Sequence, residues 1–123
     1  KSIGFISLGQ LRYLSALQYV DAVVGNSSSG LLEAPSFKIG TINIGERQKG
    51  RIRAESVIDC VPDKKDIQKS FEKLYSKNFQ ELLKNVNNLY DNGLSSKKIV
   101  RVLKNFKLKN ILKKNFYNIE FKL

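Results

Sequence analysis

The 123-residue chain has no histidine, methionine or tryptophan, one cysteine and two prolines. Without histidine it has neither an imidazole base nor the commonest metal ligand. Its one cysteine, Cys60, excludes an internal disulfide framework and any thiolate cluster. At a strand end that thiol reads as buried filler rather than a nucleophile. No metal site is expected. No apolar run approaches the roughly 18 residues of a membrane span. No charged segment feeding a long apolar stretch opens the chain, so no signal peptide is visible. A cytoplasmic location and no membrane partner are therefore expected. The lack of a starting methionine makes Lys1 the expected first residue of a fragment or processed chain.

What is present is the composition of a foldable globular chain: 41% hydrophobic and 27% charged residues. The length allows one domain rather than two. Lysine and arginine number 22 against 11 acidic residues, giving a net charge of +11. The excess is uneven. Residues 1–60 carry seven basic and five acidic residues (+2), and residues 61–123 carry fifteen and six (+9). A basic half can steer a chain toward nucleic acid, anionic lipid or phosphate. Here, however, the lysines are interleaved with Ile, Leu and Phe, the pattern of solvated faces on amphipathic helices. Nucleic acid is not the expected partner.

Residues 3–8 read as a strand end or the loop after it, and residues 11–19 as a short helix carrying Leu11, Leu14 and Leu17. Ala22-Val23-Val24-Gly25 suits a strand buried on both faces. A second helix starting near Ser28 or Ser29 bears Leu31, Leu32, Ala34 and Phe37. Pro35 lies near enough to its start to be accommodated. Gly40 ends that unit, and Thr41-Ile42-Asn43-Ile44 is the next strand. A strand, short helix and strand in this span form a βαβ unit, whose strands are parallel. Residues 45–55 form a charged, glycine-punctuated loop, and residues 56–60 a third strand. Asp63 is the expected cap of a helix over 63–76, followed by a helix over 78–90 and a turn at 91–93. A further helix is capped by Ser95 or Ser96. Residues 106–123 form a final helix or an arm. The fold class is α/β, a Rossmann-like parallel sheet with flanking helices.

The densest chemical signal is Gly25-Asn26-Ser27-Ser28-Ser29-Gly30, at a strand-to-helix junction. Backbone N–H groups and hydroxyls gathered at the carboxyl ends of parallel strands favour an anion. A capped helix after a flexible turn would carry the same residues. The next strand delivers Arg47, Lys49, Arg51 and Arg53 to the same rim, where guanidinium forks and backbone donors make a diphosphate clamp. Their plain alternative is a solvated loop whose arginines pair with Glu46 and Glu55. Glu33 is either a solvent-facing acid or an acceptor for two ribose hydroxyls. Tyr13 packs in the core, the default, or stacks on a base. No acid–base pair is evident, and neither a P-loop nor a dinucleotide fingerprint is present. An anion site without catalytic groups points to half of a two-domain enzyme.

The run from Gly25 to Phe37, followed by Thr41-Ile42-Asn43-Ile44-Gly45-Glu46-Arg47-Gln48-Lys49-Gly50-Arg51, resembles the C-terminal domain of the hydrolysing UDP-N-acetylglucosamine 2-epimerases. The resemblance is strongest to the branch serving sialic and related nonulosonic acid synthesis. Leu11-Arg12-Tyr13 and, more loosely, residues 88–93 also resemble family stretches. The resemblance covers about residues 5–103. It implies the second half of a GT-B-like two-domain fold, with residues 1–105 forming the UDP-binding domain and 106–123 packing on the missing N-terminal catalytic domain or a partner. It further implies that Ser27, Ser28, Ser29 and Gly30 lie at the UDP diphosphate, that Glu33 takes the ribose hydroxyls, and that Tyr13 lies near the uracil. One of Arg47, Lys49 or Arg51 would reach the ligand. No cofactor is implied, and a homo-oligomer is expected.

The implied reaction is elimination of UDP from a UDP-HexNAc through a glycal, then addition of water to release the free sugar inverted at C2. The fragment alone should be inactive, because the family's catalytic carboxylates lie mostly in the other domain. Two rivals remain at this point. One is the donor-binding half of a GT-B glycosyltransferase, and the other a basic nucleic-acid-binding module.

Overall fold

The computed structural model describes residues 1–91, 93–109 and 119. It divides into two compact units, residues 1–92 and 93–123. In the first, helix α1 spans Gly9–Ala16, strand β1 Ala22–Gly25 and a one-turn helix α2 Ser29–Leu32. A 3₁₀ turn follows at Ala34–Phe37. Strands β2 (Gly40–Ile44) and β3 (Val57–Cys60) precede helices α3 (Lys64–Leu74) and α4 (Lys77–Asn85). The three strands form one sheet in the order β1-β2-β3, parallel throughout. Val24 pairs with Ile42, and Ile42 with Ile58.

Central strand β2 separates two layers by the period-two alternation of a strand. Gly40, Ile42 and Ile44 share one face. There Ile42 joins Ile58, Cys60, Leu74, Phe79 and Leu83 in the buried core, so that α3 and α4 cover this side. Cys60 is accordingly a core residue. Thr41 and Asn43 share the other face, where α2 closes down on the sheet. The Thr41 hydroxyl donates to the Gly30 carbonyl at 2.9 Å.

Several expectations change. The helix expected over 78–90 ends at Asn85, where Val86 turns to extended backbone. Strand β1 was expected to be buried on both faces, yet Val24 on one of them is 46% exposed. The second helix does not run continuously past Pro35. That residue has no N–H to donate, so α2 stops at Leu32 and the chain restarts as a 3₁₀ turn with Pro35 in its first positions. Helix α1 begins at Gly9 and ends at Ala16, earlier at both ends than its apolar spacing indicates.

Helix α3 is capped as expected. Oδ1 of Asp63 accepts the N–H of Lys65 at 2.8 Å and of Asp66 at 3.3 Å. Asp66 Oδ2 in turn accepts the Val61 N–H at 2.9 Å, tying the helix to the end of β3. Asp63→Ala is expected to lower stability by about 1 kcal/mol, read as a shifted urea midpoint at unchanged slope. An unshifted midpoint would show that the cap contributes nothing.

The second unit contains helix α5, Ser95–Asn105. Its cap position is Leu94, in the left-handed region at φ 65°, rather than Ser95 or Ser96. Ile99, Val102 and Leu103 are exposed along it. Most of the arm assigned to 106–123 lies outside the described residues. Among the described residues, no helix is long and apolar enough to cross a membrane.

Candidate functional site

Both candidate loops leave the carboxyl edge of the sheet through a glycine of positive φ, Gly25 at 145° and Gly45 at 80°. Residues with a Cβ rarely take such angles. The adjacent pairing of β1 and β2 then sets the two loops side by side. Their contact is direct. The Gln48 carboxamide Nε2 donates to the Asn26 carbonyl at 2.7 Å, and Arg47 Nη1 approaches the same oxygen at 3.4 Å. The serine loop and the first turn of the basic loop therefore occupy one side of one rim.

Within the serine loop, Ser27 is exposed, Ser28 and Ser29 are half-buried, and Gly30 is buried against Thr41. The Ser29 N–H points at the Ser27 hydroxyl, 3.4 Å away. With α2 only four residues long, little macrodipole is available. Individual N–H groups and hydroxyls must do most of the work on an anion. Tyr13 comes from α1 to this loop, its phenol hydrogen-bonded to the Ser29 hydroxyl. It is half-buried rather than a core residue. Its ring borders an open cleft of about 610 Å³ lined also by Phe5, Ser7, Leu8, Gly9 and Gln10. Glu33 stands between α2 and the 3₁₀ turn. Its Oε2 is buried and accepts no hydrogen bond among the described residues.

The basic residues divide. Arg47 is exposed and reaches the serine loop. Lys49 extends to Glu46 at 3.3 Å, with both side chains largely in solvent, where such a pair contributes little. Arg51 is exposed farther along the loop. Arg53 turns away to pair with Asp59 on β3, not with Glu46 or Glu55. Asp59 also accepts from the Asn43 carboxamide at 2.7 Å. These groups line a separate 320 Å³ pocket together with Lys49 and Cys60.

Three contributors carry no local sequence signal. Gln48 is buried between exposed neighbours. Asn88 donates to the Leu32 carbonyl and to the Ser36 hydroxyl, each at 2.7 Å. Tyr90 donates to the Ile52 carbonyl at 2.7 Å. The segment after α4 thus folds back and pins the end of α2 and the far end of the basic loop. Only the loose family likeness of residues 88–93 pointed to that stretch.

Residues 3–104 match the family described as UDP-N-acetylglucosamine 2-epimerase. The chain belongs to that family. It is 48% identical over 116 residues to the GDP/UDP-N,N'-diacetylbacillosamine 2-epimerase (hydrolyzing) of Campylobacter jejuni, covering 94% of this chain and 30% of that protein. It is 41% identical over 115 residues to the polysialic acid biosynthesis protein P7 of Escherichia coli, covering 93% and 29%. The UDP-N-acetylglucosamine 2-epimerase of Neisseria meningitidis is 36% identical over 67 residues, or 54% of this chain and 18% of that protein. This epimerase-family chain spans less than a third of the length of these relatives.

Proposed function

We propose that the chain is the UDP-binding part of a hydrolysing UDP-HexNAc 2-epimerase. Ser27, Ser28, Ser29 and the Gly30 backbone hold the diphosphate from one side, and Arg47 holds it from the other. Glu33 accepts the ribose hydroxyls, and its buried, unpartnered Oε2 supports that role. Tyr13 forms a wall of the uracil cleft. Lys49 and Arg51 are assigned to the outer part of the same loop. The observation that carries the reading is the shared Asn26 carbonyl, which brings Arg47 and Gln48 onto the serine loop.

The chemistry follows from where charge develops. Abstraction of the C2 proton and cleavage of the C1–O bond leave a glycal and UDP, whose diphosphate carries the departing electron pair. Fixed donors and a guanidinium lower that barrier by meeting the developing charge. Water then adds to the glycal, and the free hexosamine leaves with C2 inverted. The base at C2 lies outside this chain, so the chain alone is inactive. The relatives' names include both N-acetylglucosamine and diacetylbacillosamine. Both fit a site that reads the nucleotide rather than the sugar.

Titration with UDP is expected to move the amide resonances of residues 26–33 with millimolar-to-micromolar affinity. Arg47→Ala is expected to weaken binding about ten-fold, the loss of one charge-assisted contact. No shift in 26–33 at millimolar UDP would end this assignment. Analysis of products from the intact enzyme with a UDP-HexNAc separates epimerase from glycosyltransferase, because a transferase forms nothing without an acceptor.

A further inference from the structure

We propose that Gln48 is a positioning residue which holds the basic loop in register with the serine loop. The inference rests on reading those loops as a diphosphate clamp. Gln48 is 2% exposed, whereas its neighbours Arg47 and Lys49 are both exposed. A buried carboxamide is unfavourable unless its groups are hydrogen-bonded. Here the bond made is specific. The Asn26 carbonyl can only accept, so the atom facing it must be the NH2 group. That fixes the orientation of the amide and leaves Oε1 buried without a partner among the described residues. An apolar residue of the same length would fill the space without an unmet acceptor. The carboxamide is explained by what it ties together, two loops 22 residues apart.

Arg47 cannot set this spacing. It meets the same carbonyl at 3.4 Å, from an exposed side chain with many rotamers. Tyr90 holds the far end of the basic loop through the Ile52 carbonyl. Gln48 holds the near end, which leaves the Arg47 guanidinium free to turn from Asn26 toward a diphosphate. Loss of this tether raises the ordering cost of binding a ligand that must touch both loops. A ligand that touches only the nucleoside cleft is spared.

The test is a titration of UDP and of uridine, followed by NMR, into the parent chain, Gln48→Met and Gln48→Ala. Methionine keeps the length and removes both polar atoms, so it decides the matter even if the alanine variant fails to fold. UDP affinity is expected to fall about ten-fold in the variants, while uridine affinity stays within about two-fold of the parent. Equal losses for both ligands, or an unchanged UDP affinity, would overturn the role of Gln48 and leave the UDP site standing. A parent chain that binds neither ligand would overturn the site and the role of Gln48 together. In the parent, the Gln48 side-chain amide protons are expected to exchange slowly and to shift on addition of UDP. Resonances unmoved at saturation would count against the proposal without recourse to a variant.

Discussion

Gly30→Ala is expected to lower the thermal midpoint by more than about 10 °C, a loss near 3 kcal/mol for a domain of this size, and to weaken UDP binding with it. A Cβ on Gly30 would lie 2.4 Å from Thr41 Cγ2 and 3.2 Å from its Oγ1. Neither side can easily give way. Thr41 is 1% exposed on the central strand, and its hydroxyl is committed to the Gly30 carbonyl. Relief requires α2 to lift from the sheet. Overpacking of this kind costs about 1–3 kcal/mol, and parting the Thr41 bond adds about 1–3 kcal/mol for buried groups left unmet. Because α2 begins at Ser29, directly after Ser27 and Ser28, the same displacement moves the proposed diphosphate donors. Thr41→Ser removes the obstructing methyl and keeps the hydroxyl. The double variant Gly30→Ala/Thr41→Ser should therefore recover about half of the loss. If calorimetry found the double variant no better than the single one, close packing of α2 on β2 would not explain the effect.

The strands were legible because their signals are local. Ala22–Gly25, Thr41–Ile44 and the stretch ending at Cys60 are short runs made mostly of small and β-branched residues, each with a glycine or proline at or near one end, and all three form the parallel sheet. The Asp63 cap was legible for the same reason, since donor and acceptor lie within three residues. The break at Pro35 was misjudged. A proline is harmless only in a helix's first turn, and starting the helix at Ser29 already places Pro35 beyond that turn. The exposed face of β1 was invisible because a short apolar run reads alike whether one of its faces is covered or both.

The candidate site divides along the same line. That the serine and basic loops would share a rim followed from adjacent parallel strands. What fixes them there did not. Gln48 to Asn26 spans 22 residues, Tyr90 to Ile52 spans 38, and Asn88 to Leu32 spans 56. No periodicity or cap pattern relates residues so far apart. Asn26 contributes through its carbonyl, a group every residue owns, so its identity carries no signal for that role. The charged residues drew attention for their chemistry, while a buried glutamine and two residues of a late segment hold them in place.

The largest packing effect is expected on the opposite face of β2, at the last turn of α3. Leu74 is fully buried, and its Cδ1 occupies the space above Gly40, where a Cβ would lie 2.3 Å away. Leu74→Ala is expected to cost about 3–4 kcal/mol, the combined loss of transfer energy and an unfilled cavity. Against a typical total of about 5–15 kcal/mol, this is a large share of the stability of a domain. Gly40→Ala alone should also destabilise, by about 1–3 kcal/mol, because its methyl would meet Leu74 Cδ1 and lie 3.1 Å from Phe79 Cε1. In the Leu74→Ala background the sign should reverse. The methyl that Gly40→Ala introduces then enters space the leucine has left and regains about 1 kcal/mol, roughly one buried carbon. Denaturant melts of the four chains give the coupling directly, expected at about 2–4 kcal/mol. Additive losses, with Gly40→Ala equally harmful in both backgrounds, would mean that Leu74 does not lie over Gly40 and that α3 sits elsewhere on the sheet.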